Sequence, residues 1–255
     1  RNWVALEALR QVAEERGVVL PPGVVAAYDA ALAEDESFAS QAGECAACLW
    51  DITQCSLSNV LICKAPLMLT PLEDVRGITK AGWDYLNDQP VDQLDLGLSI
   101  VGLGATVLVV ATAGASETVK VGASVAKVAR GMKVLSPGLE RMALTAVRTG
   151  VDSMALARLD EGLDLTKSVK VERFEPLAQV AGDLGRMQGA VGLGGTLHLM
   201  RYVDDAADAR RMARASEALG AKAVGRAEVL GPARLMRATL RTSEMAWQVM
   251  AGLLG

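Results

Sequence analysis

Cys45, Cys48, Cys55 and Cys63 are the only cysteines of the chain and fall within one 19-residue window. Thiols clustered in this way can do four things: pair as disulfides, hold a metal, exchange electrons, or fill a core. A structural zinc site wants two closely spaced ligand pairs, and only Cys45 and Cys48 stand at CxxC spacing. A redox CxxC opens a helix after a strand, and no strand precedes this one. On one continuous helix, offsets of 0, 3, 10 and 18 bring all four to a single face, so buried thiols stay open as a reading. The even count and tight clustering favour two disulfides, which would imply an oxidising compartment. Spacing does not dictate the pairing; the nested arrangement, Cys48–Cys55 inside Cys45–Cys63, is a guess.

Other chemistry-bearing residues are sparse. His198 is the only histidine, set in an apolar stretch with no Cys, Asp or Glu at ligand or relay spacing. A general base needs a positioned partner, so a satisfied core or helix-contact histidine is expected. Asp92 with Asp95, and Asp204 with Asp205 and Asp208, suit helix starts better than acid–base pairs. Asp160, Glu161 and Asp164 suit a solvated face. Gly102 and Gly104 begin a GxG, but the third glycine of a dinucleotide turn falls on Val107, and Lys127 and Arg130 stand where its acid is needed. P-loop, HExxH and GxSxG patterns are absent from the sequence. The expectation is a non-enzymatic protein, with no catalytic residue, metal, cofactor or small-molecule substrate inferred.

The elements that must carry these residues read as helices. Apolar residues make up 51% of the chain and aromatics 4%, with 25 glycines, so the core is built from small side chains and close helix contacts. The predicted fold is all-α: a helical bundle with two related Gly-rich helical hairpins. Trp3, Val4, Leu6, Leu9 and Val12 mark a first helix between an Asn2 cap and Gly17. "PPG" at Pro21–Gly23 starts a second. Pro66 and Pro71 punctuate a connector, Asp74–Leu86 is a short helix, and "SVKVERFEP" is at most one short strand.

"VGLGATVL" at Val101 returns as "VGLGGTLHL" at Val191, and "VLSPGLERMALTAVRT" at Val134 returns loosely as "VLGPARLMRATLRT" at Val229. A duplication is inferred, dividing the chain into an acidic, cysteine-bearing part at 1–70 and hairpin units at 71–165 and 166–255. Gly97, Gly102, Gly104, Gly122, Gly192 and Gly194 are the candidate helix-packing residues. The slim side of Gly122, Ala126 and Ala129 is expected against Gly97, Gly104 and Ala111 of the preceding helix.

Leu96–Ser116 holds 21 residues without a charge, long enough as a helix to cross a bilayer. Acids precede it and bases follow it, which the positive-inside rule reads as running from outside to cytoplasm. Its echo, Met187–Met200, has only 14 residues, which a buried hairpin explains better. The stretch from "PLEDVRGITKAGWDYLNDQPVDQLDLGLSIVGLG" to "KVGASVAKVARG", about Pro71–Met132, resembles the hydrophobic pre-toxin segment of bacterial polymorphic toxins. It lacks the Pro-Gly turn usual there. The resemblance implies a bacterial, envelope-linked protein with a packing or translocation hairpin, and no catalytic residue.

Charge divides the chain. Residues 1–100 carry 15 acids against 6 bases, and the remainder 15 against 20. Arg234, Arg237 and Arg241 share a helix face upstream of Trp247 and an apolar run. This face suits a membrane surface or an acidic partner better than nucleic acid, because aromatic interleaving is scant. The run itself is expected either to lead into a membrane anchor or to dock as a C-terminal helix in the core. The expected role is a membrane-associated scaffold or assembly protein of the bacterial cell envelope, its N-terminal part periplasmic or external. It would act through Gly-rich helix faces, with a membrane or membrane protein as partner, or by homo-oligomerising. The alternatives are a membrane-inserting or pore module using Leu96–Ser116, and a cysteine-centred redox or metal protein.

Overall fold

The computed structural model describes residues 2–50, 52–57, 63, 71–112, 117–152 and 169–237, and the fold is all-α. No strand forms among the described residues. The "SVKVERFEP" segment contributes only an isolated antiparallel bridge, Val151 to Val169, before a 3-10 turn at Val171–Arg173. Pro176 at the head of the next helix lacks the N–H a strand ladder would need, and it suits a helix start.

Helix α1 (Trp3–Glu15) begins where the Asn2 carboxamide oxygen accepts from the Ala5 N–H at 3.2 Å. It stops before Gly17, whose φ of 64° takes the chain out of the helix. Pro21 and Pro22 then launch α2 (Pro22–Asp35), followed by α3 (Phe38–Trp50). Helix α4 (Pro71–Leu86) leads to α5 (Gln93–Thr112), where Asp92 Oδ1 accepts from the Asp95 N–H at 3.0 Å, so this acid pair serves a helix start. Next come α6 (Glu117–Gly131) and α7 (Pro137–Gly150), the latter capped by Ser136. The long α8 (Glu175–Met200) is broken at Gly192, whose φ of 72° and ψ of 173° are not helical. Helix α9 (Ala206–Leu219) is capped by Asp205, and α10 (Lys222–Leu230) ends at Gly231 with φ 82°. Residues 232–237 are again helical.

Helix α8 is central. It lies along α6 and α9, while α5 packs on α4, α6 and α7, and α1 packs on α10. Leu184, Met187, Leu197, Leu199, Met200 and Met212 are fully buried. Each such side chain contributes about 1.5–3 kcal/mol by leaving water. The rest of the core is largely Ala and Val, so helix axes must come close. A Cβ on Gly122 would overlap the Ala181 carbonyl, and one on Gly185 would overlap the Thr118 carbonyl. The α6–α8 contact is therefore main chain against main chain.

This corrects where the slim side of α6 points. Gly122 meets α8, not α5, and Gly104 of α5 meets no described atom within 4 Å. The echoed octets do lie in α5 and α8, each followed by a helix packed on it. Matching glycines nevertheless do different work: Gly102 is helical, whereas its counterpart Gly192 breaks a helix. Among the described residues the most extensive helix contact, α6 on α8, joins one helix from each side of the division expected near residue 165.

Candidate functional site

The cysteines form two nested disulfides, Cys48–Cys55 and Cys45–Cys63, with Cα separations of 4.5 and 5.5 Å. A helix end followed by the short 3-10 turn Ile52–Gln54 folds the chain back on α3 and makes the inner pair meet. No free cysteine remains. The buried-thiol reading of these four residues is thereby replaced, a sulfur in a disulfide is not a thiolate ligand, and the CxxC cysteines Cys45 and Cys48 each pair with another partner rather than with one another. Cys48 and Cys55 are buried and join the main core cluster, and Ile52 between them lies against Gly131 of α6. The staple is thus anchored to the bundle.

Among the described residues, several polar side chains converge on His198. The ring is 1% exposed, near the end of α8. Its Nε2 lies 2.7 Å from Glu228 Oε1 on α10, and its Nδ1 lies 2.7 Å from an Arg201 guanidinium nitrogen and 3.2 Å from Asn2 Nδ2. Arg201 and Asn2 can only donate there, so Nδ1 is the acceptor and Nε2–H donates to Glu228: a neutral ring in one tautomer. Tyr202 donates its hydroxyl to the same Glu228 oxygen at 3.4 Å. Burial, and secondarily the Arg201 charge, hold the His198 pKa below its usual 6.5, although Glu228 pulls the other way. With both ring nitrogens engaged and the ring buried, the imidazole has no lone pair to offer a substrate. Its geometry is that of a link between α1, α8 and α10.

A second polar group is embedded between α4, α5 and α6. Lys127 Nζ donates to Asp74 Oδ1 at 2.5 Å, with side chains 5% and 7% exposed. Gly102 makes room for it: a Cβ there would stand 2.5 Å from the Asp74 carboxylate. Burial raises the Asp74 pKa, and the Lys127 hydrogen bond and charge oppose that rise. A desolvated pair of this kind is weak evidence of net stability, but losing either partner leaves a buried charge unmatched. The GxG motif therefore accommodates a side-chain carboxylate of the chain itself.

The remaining candidates are spread out. Gly97 packs against Val147 and Ala143 of α7, and Gly194 is buried within α8. Arg234 and Arg237 are exposed; Arg241, Trp247, and Asp160 with Glu161 and Asp164 lie outside the described residues. Asp205 caps α9 by accepting from the Asp208 N–H at 2.8 Å, as expected of helix-start acids. Among the described residues no three His, Cys, Asp or Glu side chains are grouped to hold a metal, and no helix is long and apolar enough to cross a membrane. The apolar cavity between α5, α6, α7 and α8, lined by Leu98, Ala123, Leu139 and Leu184, has a volume of about 10 Å³, scarcely one water.

No protein-family profile, curated protein or solved structure matches the chain. The site residues therefore stand on their geometry alone.

Sequence reasoning favoured two disulfides while leaving their pairing open, and it expected His198 to be a satisfied core or helix-contact residue. It missed Glu228, Arg201 and Asn2 as the partners of His198, and Asp74 as the partner of Lys127. These partners lie 30, 196 and 53 residues away for Glu228, Asn2 and Asp74, beyond any helical spacing. One signal was present for Lys127: it is the only charge between Val121 and Ala129, in a stretch otherwise suited to burial.

Proposed function

We propose that this chain is a non-enzymatic, disulfide-stapled scaffold or assembly subunit of the bacterial cell envelope, membrane-associated, with its N-terminal part on the periplasmic or external side. The observation that carries this reading is the nested pair Cys48–Cys55 and Cys45–Cys63, since disulfides persist in oxidising compartments. Close glycine contacts at Gly122, Gly185 and Gly225 support a closely packed bundle able to present surfaces to partners. Exposed Val18, Val19, Trp83 and Leu86 offer apolar surface for a membrane protein or another subunit.

Insertion of Leu96–Ser116 is the less favoured reading. Leu96, Leu98, Ile100 and Val101 are already buried in the bundle, and withdrawing α5 would expose the Asp74–Lys127 pair that Gly102 covers.

The test is thiol counting in its natural host. Cells are quenched in acid and alkylated, and the intact mass is taken before and after reduction. All four cysteines should react only after reduction; four thiols alkylated without reductant would overturn the oxidising-compartment reading.

A further inference from the structure

We propose that the chain forms a two-fold dimer in which the acidic, apolar outer face of α2 docks on the basic, apolar end of α10 in a second copy. This deepens the assembly reading above by naming the partner and the surfaces.

Helix α2 is apolar nearly all round, yet none of its residues is buried. A helix of that composition is ordinarily covered. One side is held by α1: the Tyr28 and Trp3 rings meet edge to face at 5.4 Å, Trp3 Nε1 donates to Asp35 at 2.8 Å, and Tyr28 donates to Glu7 at 2.8 Å. At helical spacing Leu32 is half-buried on the α1 side beside Tyr28 and Asp35, while Val25, Asp29 and Glu36 stand exposed on the adjoining flank. Val25 is 41% exposed there, and Val18 and Val19 at the preceding turn are 56% and 91% exposed.

Charge narrows the occupant. From Gly17 to Cys63 the chain has six acids and no base. An anionic lipid surface would repel this region, so its complement must be cationic and partly apolar. The chain itself carries such a surface. Val229 and Leu230, 53% and 39% exposed, close α10, and the exposed Arg234 and Arg237 follow at once. Neither arginine forms an ion pair among the described residues.

The two surfaces cannot meet within one chain. Trp3, Glu7 and Arg10 of α1 face α2, whereas Ala8 and Val12 face α10 at Gly225. At about 100° per residue these sets lie on nearly opposite sides of α1. The Asp35–Glu36 end of α2 and the Glu228 end of α10 nonetheless lie toward the same end of α1, while Val18 and Val19 lie at its other end. Asp35 near the end of α2 reaches Trp3, and Glu228 near the end of α10 reaches Asn2 through His198. Two copies related by a two-fold axis near that end satisfy both surfaces twice, giving a closed, self-complementary contact.

The experiment is sedimentation velocity on the oxidised chain, at low and raised salt. Three proteins are compared: the wild type, Asp29→Lys/Glu36→Lys, and Arg234→Glu/Arg237→Glu. Wild type should sediment as a dimer that weakens with salt, because the contacts are exposed to screening. Each variant alone should associate at least tenfold more weakly with unchanged helical circular dichroism. An equimolar mixture of the two should recover the dimer, since lysine then faces glutamate and arginine faces the native acids.

Three outcomes would overturn the proposal: a wild type monomeric at all concentrations, a dimer indifferent to both variants, or a mixture that does not recover. Wild-type monomers that co-sediment with anionic vesicles through Arg234 and Arg237 would overturn it too, and would assign the basic end to lipid. None of these outcomes touches the thiol count, so the dimer can fail while the envelope reading stands.

Discussion

At the scale of single residues, His198 shows how a polar side chain in an apolar helix is made tolerable. Every polar ring atom has a partner, and those partners come from three parts of the chain. Protonation would replace an accepting Nδ1 with a donor aimed at the Arg201 guanidinium and the Asn2 amide. The folded state resists this, so its His198 pKa lies below the usual 6.5. The unfolded chain then binds more protons than the folded one as pH falls below 6.5, and stability falls with it. The slope reaches at most about 1.4 kcal/mol per pH unit between 6.5 and the folded-state pKa. Urea melts from pH 8 to pH 5 should show this decline. His198→Gln should be less stable at pH 8 and flatter across the window. Equal slopes in the two proteins would mean that His198 does not govern it. The sequence could place this residue in a core because its neighbours are apolar, but Asn2 and Glu228 are brought to it only by packing.

Between elements, the deciding quantity is how near two helix backbones come. Gly122 and Gly185 each face a carbonyl oxygen of the opposite helix, and backbone cannot swing aside as a flexible side chain can. Gly122→Ala or Gly185→Ala should therefore cost about 3 kcal/mol, the upper end for overpacking. Gly104→Ala should have the opposite sign. It meets no described atom within 4 Å, and alanine favours a helix interior over glycine by about 1 kcal/mol. Urea midpoints of the three variants check the contrast, and similar losses at all three would refute it. Of the glycines the sequence singles out, Gly97, Gly102 and Gly122 have neighbours at close approach, while Gly104 and Gly192 have none within 4 Å among the described residues. Glycine spacing could not say which neighbour a thin face meets: α6 was expected on α5 through Gly104, and its closest approach is to α8 through Gly185. A helix has a face in every direction, and long-range packing chooses among them. The same limit explains "SVKVERFEP", whose alternation suits a strand but which, among the described residues, makes only an isolated bridge to Val151 with a Lys170 N–H bond to the Gly150 carbonyl.

For the whole molecule, the question is whether the acidic N-terminal part is an appendage or belongs to one cooperative unit. The sequence suggests three consecutive parts, because charge and cysteines change near residue 70 and the glycine octets repeat after it. Contacts cross those divisions. Gly225 of α10 receives α1 at Ala8 and Val12, with the Ala8 carbonyl 2.5 Å from where a Cβ would sit. Glu15 pairs with Lys222 and Arg226, and Cys48 and Cys55 share a core cluster with Leu184 and Met212. The disulfides close spans of 7 and 18 residues, for which loop entropy gives about 2.5 and 3 kcal/mol, less than additive because one lies inside the other. Reduction should accordingly lower the thermal midpoint of the entire chain in a single transition. The α3 staple is embedded against α6, so it has no separate core to melt by itself. Far-ultraviolet circular dichroism and tryptophan fluorescence, followed with and without reductant, should shift together. A reduced protein whose tryptophan signal melts early while the helical signal keeps its original midpoint would show the N-terminal part to be an independent unit.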